Sequence, residues 1–217
     1  MTRPTRPVRN SDSATRAQTR SLAAHRRALV AQMREEIGVP AIAAGRAALV
    51  MLMGLPGVGK SYCGRLLAAD LGAAHVATDH LRSRLFIAPT YTTEENAAVF
   101  GIAEALVDEL QADEHIVVLD ATHLIARYRA PSEGVARARG APIHHVLVTA
   151  DEAAVRARLE ARTHDRAADD HSDADVRIYE RMRSREFEPP TDGYLEIRNG
   201  PTVADEVARV AAVVRGA

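Results

Sequence analysis

The stretch Gly54-Leu55-Pro56-Gly57-Val58-Gly59-Lys60-Ser61 sets a glycine, four residues and then Gly-Lys-Ser in a row, a spacing made for holding phosphate. Glycines without a Cβ let consecutive backbone N–H groups curl around phosphate oxygens, and a following helix N-terminus adds the positive end of its dipole. The lysine reaches the outer phosphates and the serine hydroxyl binds magnesium. The expected nucleotide contacts are therefore Gly54, Pro56, Gly57, Val58, Gly59, Lys60, Ser61 and Tyr62, with Lys60 also catalytic. All the other basic residues among the 28 lysines and arginines are arginine. A lone lysine marks a place where a compact ammonium on a flexible stem fits among phosphates and a planar guanidinium does not.

Two carboxylates stand where such a site uses them. The apolar run His115-Ile116-Val117-Val118-Leu119 ends in Asp120, the position of a magnesium-orienting acid, so Ser61 and Asp120 are the expected metal ligands. The shorter run Ala73 to Ala77 ends at Thr78-Asp79, and a carboxylate at the carboxyl end of a strand lies along the crevice where open α/β sheets bind ligands. Asp79 is the candidate to orient or deprotonate an attacking hydroxyl, and its low intrinsic pKa makes positioning matter more than basicity. Helix N-capping is the plainer reading of Asp79. Arg82 falls three positions later on the same helix face, and Thr122 and His123 lie just past Asp120. Asp79, Arg82, Thr122 and His123 form the expected substrate-binding set, with a surface turn as the other reading of His123.

The elements that must hold these groups follow from periodicity. Residues 47–53 are continuously apolar, as a strand buried on both faces of a parallel sheet is, and 62–71 reads as a helix closed by Gly72. Further strands are expected over 73–77, 115–120, from Pro142 through 148, and over 194–197. Helices are expected over 80–86, from 91 onward with the stripe Val99, Ile102, Ala103, Leu106 and Leu110, and over 126–139, 174–187 and 203–214. Asp151 caps one more, in which Glu152 and Arg156 are spaced to pair. Strands separated by helices predict an α/β three-layer sandwich with a mostly parallel five-stranded sheet. Arg127, Arg129, Arg137 and Arg139 read as a solvated helix face. The polar stretch 163–173 has nothing to pack and is expected to be a lid, around 162–173, that closes on nucleotide. Its two histidines and four aspartates follow no metal-ligand spacing.

The 217 residues suit one compact domain, 46–217, with an appendage over 1–45: a basic disordered tail and then a helix within 14–37. Residues 1–34 carry eight arginines against the single acid Asp12, yet the whole chain has a net charge of −1, which disfavours broad attraction to nucleic acid. No apolar run is long enough to span a membrane. One cysteine, Cys63, makes no internal disulfide and is expected inside a helix, which points to a reducing cytoplasm. Oligomeric state is not legible.

Over about residues 47–200 the chain resembles the P-loop kinases related to polynucleotide kinase, gluconate and adenylylsulfate kinases and zeta toxins, often labelled AAA-type ATP-binding proteins. The likeness rests on GLPGVGKS, ATDHLRSRLF, VVLDATHL, LVTADEAAVRARLEART and YERMRSREFEPP. It implies an α/β P-loop NTPase fold and an ATP- and Mg2+-dependent kinase. In that pattern Asp79 handles the acceptor hydroxyl, Arg82 contacts substrate, Asp120 lies near magnesium, and a lid arginine, Arg158 or Arg162, stabilises the transferring phosphate. Relatives commonly carry Asn where this chain has His123. The implied activity is transfer of the γ-phosphate of ATP to a hydroxyl of a small molecule. Rival expectations are a polynucleotide 5′-hydroxyl kinase, a zeta-like toxin and a non-kinase ATP-binding switch. There is no Asn-Lys-x-Asp motif to read guanine.

Overall fold

The computed structural model describes residues 21–22, 25–41, 43–164, 176–184 and 187–216, with 162–164 described only as helix. The expected tail over 1–15 and the lid residues 165–173 lie outside them. The strands are β1 (Ala48–Met53), β2 (Ala74–Ala77), β3 (Ile116–Asp120), β4 (Ile143–Thr149) and β5 (Leu195–Arg198). They pair in the order β2-β3-β1-β4-β5, and every pairing is parallel. The helices are α1 (Arg26–Glu36), α2 (Lys60–Leu71), α3 (Thr78–Leu85), α4 (Thr93–Ala112), α5 (Ala126–Ala138), α6 (Glu152–His164), α7 (Val176–Arg183) and α8 (Val203–Arg215).

The period-2 alternation of β1 divides the core. Val50 and Leu52 face a layer built with Leu67 of α2 and Val210 of α8, while Leu49 and Met51 face Leu106 and Leu110 of α4. Burying such a side chain is worth about 1.5–3 kcal/mol, and because both faces of β1 are covered a slip of one residue would exchange the two sets and mispack both layers. The register that results aligns Leu52 with Asp120 and Asp120 with Ala77. The glycine loop after β1, Asp120 at the end of β3 and Asp79 just past β2 thus converge on one edge of the sheet.

Several boundaries differ from the sequence reading. The sheet is wholly parallel, β3 begins at Ile116, and α7 ends at Arg183. Helix α3 begins at Thr78 with Ala77 as its cap residue, so Asp79 sits in the first turn and is not the N-cap. From Arg26 the N-terminal segment is packed against the domain: Val30 and Met33 are each 1% exposed and join the α4 side of the core. No helix among the described residues is long and apolar enough to cross a membrane.

Candidate active site

The loop between β1 and α2 is shaped by glycines that nothing else can replace. Gly54, Gly57 and Gly59 have φ of 146°, 80° and 91°. A Cβ on Gly54 would sit 2.5 Å from the Val148 carbonyl oxygen, and one on Gly59 would sit 2.1 Å from Asn199 Nδ2. The loop is braced from behind, where Asn199 Nδ2 donates to the Val58 carbonyl at 2.8 Å and Arg158 Nη1 donates to the Gly57 carbonyl at 3.3 Å. Lys60 Nζ donates to the Leu55 carbonyl at 3.0 Å, lying back over the loop. With the N-terminus of α2 opening at Lys60, this cradle fits a nucleotide polyphosphate.

Asp120 is buried, and its carboxyl titrates below the usual range. Burial by itself raises it, but His75, the Lys60 charge and a hydrogen bond with Ser61 together outweigh that. His75 Nε2 stands 3.5 Å from Asp120 Oδ2, an electrostatic contact rather than an aligned hydrogen bond. Gly64 of α2 makes room for it, since a Cβ there would lie 2.7 Å from the same nitrogen. An ionised Asp120 beside the Ser61 hydroxyl is a donor set of hard oxygens that fits Mg2+.

Two cavities open on this edge. One, of about 670 Å³, is lined by the glycine loop with Ser61, Asp120, Arg158 and Asn199. The other, of about 930 Å³, lies between α4, α5 and α7. Pro56, Lys60, Thr78, Asp79, Ala121 and Thr122 line both. Of the groups expected at the reacting centre, Lys60, Asp79 and Thr122 are shared by the two chambers, whereas Ser61, Asp120 and Arg158 line the first alone.

On the second chamber Arg82 is less free than the sequence suggests. It is 4% exposed, its Nη1 donates to Glu95 and its Nη2 donates to Asn96 Oδ1 at 2.8 Å. The guanidinium also lies 4.4 Å from the centre of the Tyr91 ring. Glu95, wholly buried, accepts in addition from the Thr90 N–H and hydroxyl and the Tyr91 N–H. Arg82 lines this chamber as expected of a substrate-binding residue, and its guanidinium is at the same time engaged in holding α3 against α4. His123 is no surface turn: it is buried at φ 45°, its ring tilted 57° against that of Phe100 with the centroids 5.8 Å apart. Burial pushes its imidazole down to about 4. A neutral ring with Nδ1 on the Leu52 carbonyl at 3.2 Å donates there and leaves Nε2 as an acceptor.

Arg129 overturns the solvated-face reading of its helix, whereas Arg127, Arg137 and Arg139 are exposed as expected. It is 2% exposed and donates to the His123 carbonyl at 2.9 Å, fixing the strained turn from inside, with Glu133 3.6 Å away as counter-charge. Glu188 caps the same helix by accepting from the Ala126 N–H. Arg158 faces the glycine loop; the side chain of Arg162 lies outside the described residues. Reading the sequence missed Asn199, His75 and the buried role of Arg129. Only Asn199, directly after the alternating strand Leu195–Arg198 and before Gly-Pro, carries a local signal of a loop on the ligand-binding edge.

Residues 49–190 match the protein family described as AAA domain. Among solved structures, the APS kinase CysC of Mycobacterium tuberculosis, crystallised with AMPPNP and APS, is 19% identical, covers 79% of this chain and 99% of its own, and superposes with a TM-score of 0.60. Kti12 of Chaetomium thermophilum, in complex with ADP-AlF3, is 20% identical over 78% of this chain and 98% of its own, with a TM-score of 0.62. A gluconokinase from Sinorhizobium meliloti is 18% identical over 78% and 96%, with a TM-score of 0.52. Curated proteins offer no match. At these identities the likeness to solved structures is one of fold.

Proposed function

This chain belongs to the AAA domain family of P-loop proteins, and from that premise we propose that it is an ATP-dependent phosphotransferase acting on a hydroxyl of a small molecule. The observation that carries this reading is the pair of chambers meeting at Lys60, Asp79 and Thr122. A nucleotide switch needs a cradle and a surface that moves; it does not need a second deep chamber opening on the same groups.

In the reaction the acceptor oxygen bonds to the γ-phosphorus and the bond from that phosphorus to the bridging oxygen breaks. ADP leaves with the electron pair, and the hydroxyl proton passes to Asp79 or to water that Asp79 orients. Lys60 turns from the Leu55 carbonyl to the outer phosphates. Arg158, with Arg162 as the second candidate, balances charge spread over the moving phosphoryl oxygens, which is where such sites gain most of their rate. Ser61 and Asp120 would hold Mg2+, which supplies charge neutralisation on the phosphates when bound. His123 Nε2 and Thr122 accept and donate at the acceptor, and Arg82 keeps the chamber wall in place.

Incubation with Mg2+ and γ-labelled ATP across sugars, amino alcohols, nucleosides and 5′-hydroxyl oligonucleotides tests the reading. Label in no acceptor, with nucleotide bound normally, overturns it; label only in the oligonucleotides assigns a polynucleotide kinase instead. Asp79→Asn should lower transfer by about 10²–10⁴-fold and leave ATP affinity unchanged, a split that a switch would not show.

A further inference from the structure

The acceptor chamber follows one helix. Thr93, Asn96, Ala97, Phe100, Gly101 and Glu104 of α4 all line it. Steps of three, one, three, one and three make a single helical stripe, which at 1.5 Å per residue runs for about 16 Å. The reacting end is fixed by Arg82, one turn past Asp79, which holds Glu95 and Asn96 in the first turn of α4. Glu104 lies about 12 Å further along the helix than Asn96. Between the two ends, Phe100, Ile125, Tyr128 and Met182 make the wall apolar.

Two separate features mark the distant end. Gly101 stands in mid-helix without a positive φ, and a Cβ there would meet nothing within 4 Å. Neither a turn nor a close neighbour requires glycine, and glycine weakens a helix interior relative to alanine. Its missing side chain leaves the chamber open beside Glu104, and Arg26 of α1 donates to its carbonyl. Glu104 itself is half-buried, and no hydrogen bond to its carboxylate occurs among the described residues. Burial raises its pKa against the pull of the Arg26 charge. A carboxylate on an apolar wall is best satisfied by a cationic donor. The chamber's other charged ends, Arg127 and Arg181, are exposed, and Arg127 is stacked on Tyr128 and donates to its hydroxyl at 3.0 Å.

We propose, granted the kinase reading, that the acceptor is an elongated amino alcohol: its hydroxyl at Asp79, its apolar body along Phe100 and Tyr128, and its ammonium at Glu104, with Gly101 as the gap that admits the far end. A compact polyol would leave most of the stripe unfilled.

The test measures binding by ligand-observed NMR to the full chain loaded with AMPPNP. The probes are 3-aminopropan-1-ol, 6-aminohexan-1-ol, 8-aminooctan-1-ol and 8-hydroxyoctanoate. Affinity should rise about threefold per methylene as the chain extends along the stripe, and the amine should beat the carboxylate of equal length by about tenfold. Gly101→Leu should melt no lower than wild type, bind AMPPNP unchanged and lose the gain from length. Glu104→Gln should keep the length dependence and lose the amine preference. Affinity flat with length, tighter binding of the carboxylate, or a Gly101→Leu chain that still prefers the long amine overturns the proposal. Length-dependent binding without phosphorylation in a parallel 31P assay sinks the kinase reading and keeps the groove. Equal phosphorylation of a short polyol by wild type and Gly101→Leu does the reverse.

Discussion

Arg82→Ala separates a structural from a substrate-contacting arginine. In the folded chain Glu95 is wholly buried and accepts from Arg82, from Thr90 twice and from the Tyr91 N–H, so its charge is balanced by one cation alone. Removing one partner of a buried pair costs about 3–5 kcal/mol, because the remaining charge keeps its desolvation penalty. In a chain of this size each kcal/mol moves the midpoint by about 2–4 °C, so melting should fall by roughly 6–20 °C. Arg82→Met with Glu95→Leu should recover most of that, since Thr90 and Tyr91 are exposed enough for water to serve their donors. The pH dependence has a definite sign. Burial raises the Glu95 carboxyl, but the Thr90 N–H, Arg82 and the Thr90 hydroxyl together hold it below its ordinary value. A carboxyl lowered by folding stabilises above its unfolded pKa, near 4.3, and that stability is lost as pH falls from there through the folded pKa. Urea titrations at neutral pH and below 4 should therefore show wild type losing more on acidification than Glu95→Gln. If Arg82→Ala melts with wild type while acceptor affinity collapses, the guanidinium serves substrate and this reasoning is wrong.

Gly59→Ala forces an alanine to φ 91° with its Cβ against Asn199. Strain of about 1–2 kcal/mol plus the lost Asn199–Val58 hydrogen bond, about 1 kcal/mol, should weaken AMPPNP by roughly 30–150-fold in calorimetry, and adding Asn199→Gly should not restore it, since that change relieves neither. Arg129→Met should lower stability by about 1–3 kcal/mol in urea and raise the acceptor KM without changing that for ATP, because it frees the turn that carries His123. Cys63 is wholly buried and its thiol is pushed up to about 11, by burial first and then by the Asp120 charge. Alkylation at pH 8 should follow unfolding, and rapid labelling of native protein would contradict the packing around α2.

The glycine loop, its flanking strand and helix, and the carboxylates ending two apolar runs were all legible, since each depends on neighbours in the chain. The alternation of strands and helices likewise fixed the fold class. Arginines were the weak point. Arg82, Arg129 and Arg137 look alike in a sequence, yet Glu95 buries the first, the His123 carbonyl claims the second, and the third stays in water with Glu133. Burial of a guanidinium is decided by what faces it, and helical spacing does not contain that. His123 gave the same difficulty, because a histidine after a strand is compatible with solvent or with a pocket until Phe100 and Leu52 are placed beside it.

By itself the sequence determined that this chain carries a P-loop, Gly54–Ser61, within an α/β sheet, because that motif is written in eight consecutive residues with a strand before and a helix after. Only the tertiary structure decided the strand order, brought Asn199 to Val58 across 141 positions, and opened a second chamber along α4 with Gly101 and Glu104 at its far end. Those features arise from the packing of segments distant in the chain, where the outcome depends on which apolar faces are buried together and no local spacing records it.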